Sequence, residues 1–549
     1  MPEHSRILTR RRVLACAPLF ALGSAFGVQS QEFDFDVRHF GAKGDGASFD
    51  TTAIQKAIDT CVQAGGGTVR LQGGHFLSAP LTLASNINFR IEANAVLLGS
   101  PHVEDYPDRP PSYVSRTATE DCRRALLFAE KAENISITGE GVIDGQGYDV
   151  PSANFRQPHL KLEKFRPLVI LFSECKRVRV SGITLRRSAC WMESYLACED
   201  VSIDGISVYN RPDENWNQDG IDIVDSWRVR IVNSHFYSAD DAICLKSTTS
   251  RGCRDVVISN CVASSRASAI KFGTDSHGGF RNIAINNCAI YDTTRSGIEI
   301  ACVDGGLVED VVVDNITMEG VGAPIFLRLG NRGRSQATPV PGKMRRIVIS
   351  NVIANGTDTI GSSITGLPGH PVEDVTLNNI RIVVPGGGTL EQARRQIPEY
   401  PERYPSHDMF APAGVKWDDY PHTAQLPAYG LYVRHASGVN LHNVRFEAES
   451  PDDRPALVFD DVRGVAIHDF DAPATAAQPA LISLKEVNEA LITDLQPSRE
   501  TPVLLKVEGA SSGIVLANSD LTKVKTPIVQ EQGVDAHYVP LSMEHRDNP

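Results

Sequence analysis

The chain has 549 residues, 42% of them hydrophobic, which is enough for a large core; its 44 glycines and 32 prolines favour turn-rich β-structure over helix bundles. A formal net charge of -13 leaves no basic face for nucleic acid. The same charge repels polyanions at long range, so an acidic glycan would have to meet locally placed Arg or Lys.

Residues Thr9-Arg10-Arg11-Arg12-Val13-Leu14 have the form of a twin-arginine export motif, with a short apolar stretch from Val13 to about Phe26. That stretch is too short to cross a bilayer and is followed by polar chain, so residues 1–30 read as a signal outside the fold. Cys16 follows the arginines too closely to leave the apolar core of a lipoprotein signal. No other run of 18 or more apolar residues appears, so no membrane span is expected and the location is periplasmic or extracellular. A passenger of this route folds before export, among reduced thiols. The 11 cysteines contain no Cys-x-x-Cys pair and sit mostly in strand-like runs, as buried fillers would.

Residues 51–64 place Ala53, Ile54, Ala57, Ile58, Cys61 and Val62 on one helical stripe, after Ser48 and Asp50 and before Gly65-Gly66-Gly67. This predicts an amphipathic helix capping the start of whatever follows. Short strands of one design then recur, led by Val178, Val201, Val229, Val256, Ile283 and Val311, and continue at Ile347, Val375, Val439, Val465 and Ile514. The first six leaders are spaced 23 to 28 positions apart, and each strand is followed by Asn, Asp or Ser turn chemistry. Such a period is the signature of a solenoid, and three short strands per turn make it a parallel β-helix. Residues 31–540 are therefore expected to form one all-β domain, with 541–549 as a tail. An insertion near 385–427, rich in Pro, Gly and Tyr, is expected to fold over one face. A capped solenoid has no need of a partner, so a monomer is expected.

Between the leading strands lie the runs at 221–223, 243–245, 270–272 and 298–300, each with one residue outward under period-2 alternation. This predicts a surface column of Asp222, Cys244, Lys271 and Glu299. Three residues earlier comes a second column, Asp219, Asp241, Ser268 and Ser296, with Asp240 at its edge. Three carboxylates on two adjacent coils repel one another and raise at least one pKa, which suits a general acid beside a water-activating base. The plainer alternative is that these acids only satisfy backbone N–H groups in turns.

These residues resemble glycoside hydrolase family 28, the polygalacturonase family, over most of the mature chain. The likeness rests on the stretches 40–46 (FGAKGDG), 50–54 (DTTAI) and 141–147 (GVIDGQG), on Trp191, on Asn217-Gln218-Asp219 at the family's Asn-Thr-Asp, and on Ala239-Asp240-Asp241 at its Gly-Asp-Asp. The resemblance implies a right-handed parallel β-helix and an inverting hydrolysis that uses neither metal nor cofactor, on a polysaccharide or oligosaccharide. In it Asp240 protonates the leaving oxygen, Asp219 and Asp241 activate the water, and Asn217 binds substrate.

Two departures bear on the substrate. Ala267-Ser268-Ala269 stands at the family's Gly-His-Gly, and Glu299-Ile300-Ala301 at its Arg-Ile-Lys. The family's Arg and Lys there bind the galacturonate carboxylate, and a glutamate facing galacturonate would repel it. A rhamnogalacturonan-type substrate, or one otherwise unlike plain homogalacturonan, is therefore expected. Lys271 and Glu299 are candidate sugar contacts, or else a surface salt bridge. His277 could replace the missing histidine from a loop or be a solvated turn residue, and Arg328 could restore the lost positive charge. Phe326, Trp191 and Tyr291 are candidates for stacking on sugar faces or for filling gaps in the core. Two other functions fit the same fold: a polysaccharide lyase with Lys271 as base and calcium on the three aspartates, and a non-catalytic glycan-binding solenoid.

Overall fold

The computed structural model describes residues 33–147, 166–210, 217–356, 359–405, 409 and 426–540. The export signal, the tail and the Phe410, Trp417 and Tyr420 part of the insertion lie outside the described residues.

Inward Val and Ile side chains alternate with more exposed residues along each short strand, as in Val201-Ser202-Ile203, where Val201 and Ile203 are buried. The backbone edges of such a strand are satisfied not by a hairpin but by parallel pairing with the equivalent strands one coil before and one coil on. Val178 lies beside Val201, then Val229, Val256, Ile283 and Val311 in turn. The column continues through Ile347, Val375, Val439 and Val465. Ala490 forms the next rung, which the sequence pattern passes over, and Ile514 follows it. Among the described residues 35 strands join one sheet in this way, coiled around one continuous apolar core. The architecture is a right-handed parallel β-helix.

The coil must turn sharply between strands, which calls for left-handed backbone that asparagine tolerates better than branched residues. Asn287, Asn315, Asn351, Asn379 and Asn443 occupy one such corner, with φ between 52° and 56°. Their amides bond from coil to coil: Asn315 Nδ2 donates to Asn287 Oδ1 at 2.7 Å, Asn351 to Asp314 at 2.7 Å, and Asn379 to Asn351 at 2.6 Å. The N-terminal cap is the helix Thr51–Gln63, which buries Ile54, Ala57, Ile58 and Cys61 against the first coils. Asp50 precedes it but does not cap it; its carboxylate accepts instead from the N–H groups of Lys43 and Gly44. The ten cysteines among the described residues are free and buried.

The column Asp222, Cys244, Lys271 and Glu299 stacks in the expected register but is fully buried rather than exposed. Two roofs cover this face of the coil. Toward the N-terminus, the short helix Arg116–Glu120 packs Ala118 on Leu196 and Val224. Toward the C-terminus, Ile397 and Tyr400 of the insertion pack with Phe326, Ile360 and Tyr432. Arg328 donates to the Tyr400 carbonyl at 2.8 Å and Arg434 to the Ile397 carbonyl, tying that roof down. The candidate site lies in the gap between the roofs.

Replacing Asn351 by alanine removes two ladder hydrogen bonds and leaves a methyl group, which can make neither, at positive φ. Urea unfolding should show a loss of about 1–3 kcal/mol, with Asn351→Gly recovering roughly 1 kcal/mol of it.

Candidate active site

Asp219 and Asp241 precede equivalent strands on neighbouring coils, so the backbone ladder sets them side by side. Gly220 N–H donates to the Asp241 carbonyl at 2.9 Å, and Ala242 N–H to the Ser268 carbonyl at 3.0 Å. The coils approach so closely here that a Cβ on Gly220 would stand 2.5 Å from the Ala242 carbonyl oxygen. Asn217 adopts φ 59° and points its N–H at Asp240 Oδ2, 3.0 Å away, while Asp241 N–H reaches Asp240 Oδ1 at 3.0 Å. The Asp240 carboxylate thus spans two coils and is half-buried. Arg166 holds the Asn217 amide oxygen at 2.9 Å.

Two buried lysines offset the acids beneath. Lys246 Nζ donates to Asp219 Oδ2 at 2.7 Å and to Asp222, and it lies 4.2 Å from the Trp191 ring centroid. Lys271 Nζ lies 3.1 Å from Asp241 Oδ2 and 3.7 Å from Glu299, and it donates to the Tyr404 hydroxyl at 3.1 Å. Burial by itself would depress both ammonium groups. Asp219 and Asp222 around Lys246, and Asp241 and Glu299 around Lys271, outweigh it and hold both well above the ordinary lysine value. Burial, then the charge of Asp222, lifts Asp219 well above the usual carboxylate range against the pull of Lys246. Asp222 is pushed up to about 6, chiefly by burial. One ammonium faces two carboxylates in a dry pocket, and the second negative charge is the costly one. Asp219, Asp222 and Cys244 converge as a metal's ligands might, within 4.8 Å, but the Lys246 ammonium already bonds both carboxylates.

Above this floor is a cleft of about 610 Å³, whose lining includes Asn217, Asp219, Asp240, Asp241, Trp191 and Lys246. The structure thus brings together the three expected acids, the expected asparagine and one candidate aromatic. It places Lys271, Glu299, His277 and Arg328 outside that lining. Glu299 is fully buried and accepts from Ser268 Oγ at 2.6 Å, so the residue at the family's histidine position ties down the residue at its arginine position. Lys271 is likewise fully buried, beneath Asp241. His277 is half-buried and bonds through its backbone N–H to the Ser247 carbonyl at 2.8 Å. Arg328 is directed at the roof, where burial lowers it to about 10. Phe326 belongs to the roof's apolar cluster, and Tyr291 bonds His235 at 3.0 Å, away from the cleft lining.

Sequence reasoning missed Lys246, Arg116, Asp275 and Arg334, all of which line the cleft. Lys246 was legible: it lies two residues beyond Cys244 on one strand, in the same outward phase. The other three come from non-repeating segments or from the end of a strand, where period-2 phase carries no message.

Asp222 also makes the fold sensitive to pH. Its folded pKa of about 6 exceeds the ordinary 3.8, so the native state binds the proton more tightly than the unfolded chain does. The resulting stabilisation is complete below about pH 4 and is lost as pH rises through 6. Melting temperature plotted against pH should therefore fall less steeply between about 4 and 6 in Asp222→Asn than in the unaltered chain.

The chain resembles known proteins over the region that carries this site. The model of glycosyl hydrolases family 28 matches residues 65–399. A probable polygalacturonase of Vitis vinifera is 27% identical over 368 residues, covering 62% of this chain and 73% of that protein. A hyperthermoactive exopolygalacturonase of Thermotoga maritima shares the fold with a TM-score of 0.52 at 21% identity, over 64% of this chain and 87% of its own. For the family 28 exopolygalacturonase of Yersinia enterocolitica the TM-score is 0.55 at 18% identity, over 84% and 78%. With its acids on neighbouring coils and more than half its length matched, this chain belongs to glycosyl hydrolases family 28 and is a glycoside hydrolase.

Proposed function

We propose that the protein is an exported, exo-acting hydrolase that removes galacturonate residues from the end of a pectic galacturonan by an inverting acid/base mechanism. The observation that carries this reading is the convergence of Asn217, Asp219, Asp240 and Asp241 on one cleft whose two nearest lysines are both held as ammonium. Asp240 is held by two backbone N–H groups, and among the described residues no cation pairs with it. Half-exposed at the cleft, it takes the part that the family resemblance gives it, protonating the glycosidic oxygen. Asp219 and Asp241, each bonded to a lysine, orient the water, and Asp241 takes its proton, since burial and Asp222 lift Asp219 well above the usual carboxylate range. Asn217 positions Asp240 through its backbone and binds substrate.

The expectation of a rhamnogalacturonan-type sugar rested on Glu299 facing the substrate. Buried against Ser268 and Lys271, its charge is screened from the cleft, and the repulsion argument falls. Relatives described as polygalacturonase and exopolygalacturonase then favour homogalacturonan. Action from a chain end is supported by the two roofs: Arg116 of one and Tyr404 of the other both line the cleft, bounding it along the coil axis. Export is supported by the arginine motif at the N-terminus, and no helix among the described residues is long and apolar enough to cross a membrane.

The lyase alternative needs an unprotonated base. Lys271 and Lys246, held between carboxylates, would supply none at neutral pH. The binding-solenoid alternative treats the acids as solvated turn residues, whereas Asp219 and Asp241 are buried at the floor of a cleft.

Digestion of polygalacturonate in ¹⁸O-water, followed by mass spectrometry, should give labelled monogalacturonate from the first time points. Proton NMR should show the initial product with inverted anomeric configuration. Asp240→Asn should lower kcat by about 10²–10⁴-fold. Unsaturated, unlabelled products would instead establish a lyase, and an early ladder of mixed lengths would establish internal cleavage.

A further inference from the structure

Three cationic side chains line the cleft, and two of them are already committed. Lys246 is 8% exposed and bonded to Asp219 and Asp222. Arg116 is 18% exposed and pairs with Glu120 at 3.1 Å, Asp121 at 3.1 Å and Asp275. The third, Arg334, is 46% exposed, and among the described residues its guanidinium comes no nearer to a carboxylate than 3.8 Å, to Asp275. Asp275 is itself spoken for by Arg116 and by Arg332, 3.5 Å away.

The segment that carries Arg334 is nonetheless firmly held. Its own backbone N–H donates to Asp304 Oδ1 at 2.8 Å, and Gln336 donates to the Asp304 carbonyl at 2.8 Å. Arg332 bonds Asp304 and both the hydroxyl and carbonyl oxygens of Thr274, each at 3.0 Å for Thr274. Arg116 pairs with Glu120, Asp121 and Asp275, and Arg332 with Asp304 and Asp275, so of these three guanidinium groups Arg334 has the loosest carboxylate pairing. A pinned backbone beneath a loosely paired, half-exposed guanidinium head is a preorganised anion receptor, since little ordering remains to oppose binding.

We propose that Arg334 is a specificity-determining residue that binds the carboxylate of a substrate uronate, in place of the Arg and Lys this chain lacks at its 299 and 301 positions. The proposal rests on the galacturonan reading above and names the residue that recognises the acid. A planar guanidinium accepts a carboxylate through two parallel N–H···O bonds, and a neutral ester of the same sugar offers it no charge to pair with. Arg334 therefore selects for the free acid in a chain whose overall charge repels polyanions.

The test compares oligogalacturonate with its methyl ester as substrates for the full chain, for Arg334→Gln and for Arg334→Lys. The ratio of kcat/KM for acid over ester should fall by about 10- to 100-fold in Arg334→Gln, mostly through KM, with Arg334→Lys recovering part of it. Equal losses on acid and ester, or an unchanged ratio, would overturn the assignment. Calorimetric titration of trigalacturonate into Asp240→Asn, with and without Arg334→Gln, separates this proposal from the catalytic reading. Arg334-dependent binding by a chain that hydrolyses no galacturonide would retain the receptor and discard the proposed reaction. Binding indifferent to Arg334 would discard the receptor alone, and absence of binding would discard both.

Discussion

A parallel ladder in strict register forces every side chain of a given phase to stack on its equivalent one coil away, about 4.8 Å along the axis. For Val201, Val229 and Val256 this produces a column of apolar contacts and a continuous core. For Asp219 and Asp241 it produces juxtaposed negative charge. Two carboxylates at such range repel by a few kcal/mol even at an effective dielectric near 20. Lys246 and Lys271, emerging from the same stacked strands, offset that repulsion from below. The repeat that builds the fold therefore also creates the electrostatic tension the site works with.

Burial gives that tension its sign and size. Each of these lysines would lose several kcal/mol by leaving water alone, and each is retained because carboxylates surround it. Around Lys246 the accounting is uneven, with Asp219 and Asp222 sharing one ammonium and both lifted in pKa. Around Lys271 the same logic accommodates a substitution. Glu299 stands at the family's arginine position and Ser268 at its histidine position, but Ser268 bonds Glu299 and Glu299 pairs with Lys271, all three buried below the cleft. A change that looks like charge reversal in one dimension is a buried support for Asp241 in three.

The coil supplies a long face, and what makes a cleft of it is added material. The helix Arg116–Glu120 and the insertion around Tyr400 cover the face on either side of the acids. Both are bound to the coil by arginines, Arg116 to Asp275 and Arg328 to the Tyr400 carbonyl. These contacts hold irregular backbone on a regular scaffold, so loops shape the cleft while the stacked coils hold its acids.

From sequence alone, the repeat, its register, the capping helix and the four residues Asn217, Asp219, Asp240 and Asp241 could all be placed, because strand phase and a near-constant coil length are local properties of the chain. Lys246 belongs to the same class, being two residues from Cys244 on one strand. The burial of the Asp222–Glu299 column could not be read in this way, since its cover comes from distant segments that have no period. Tyr404 reaches Lys271 from 133 residues away, and Arg116 reaches Asp275 from 159. Arg334 likewise enters the cleft only because Asp304 and Thr274 pin its loop there. Periodicity encodes the position of a side chain within a coil; which coils are roofed, and which charges remain free, depends on contacts that only the folded chain makes.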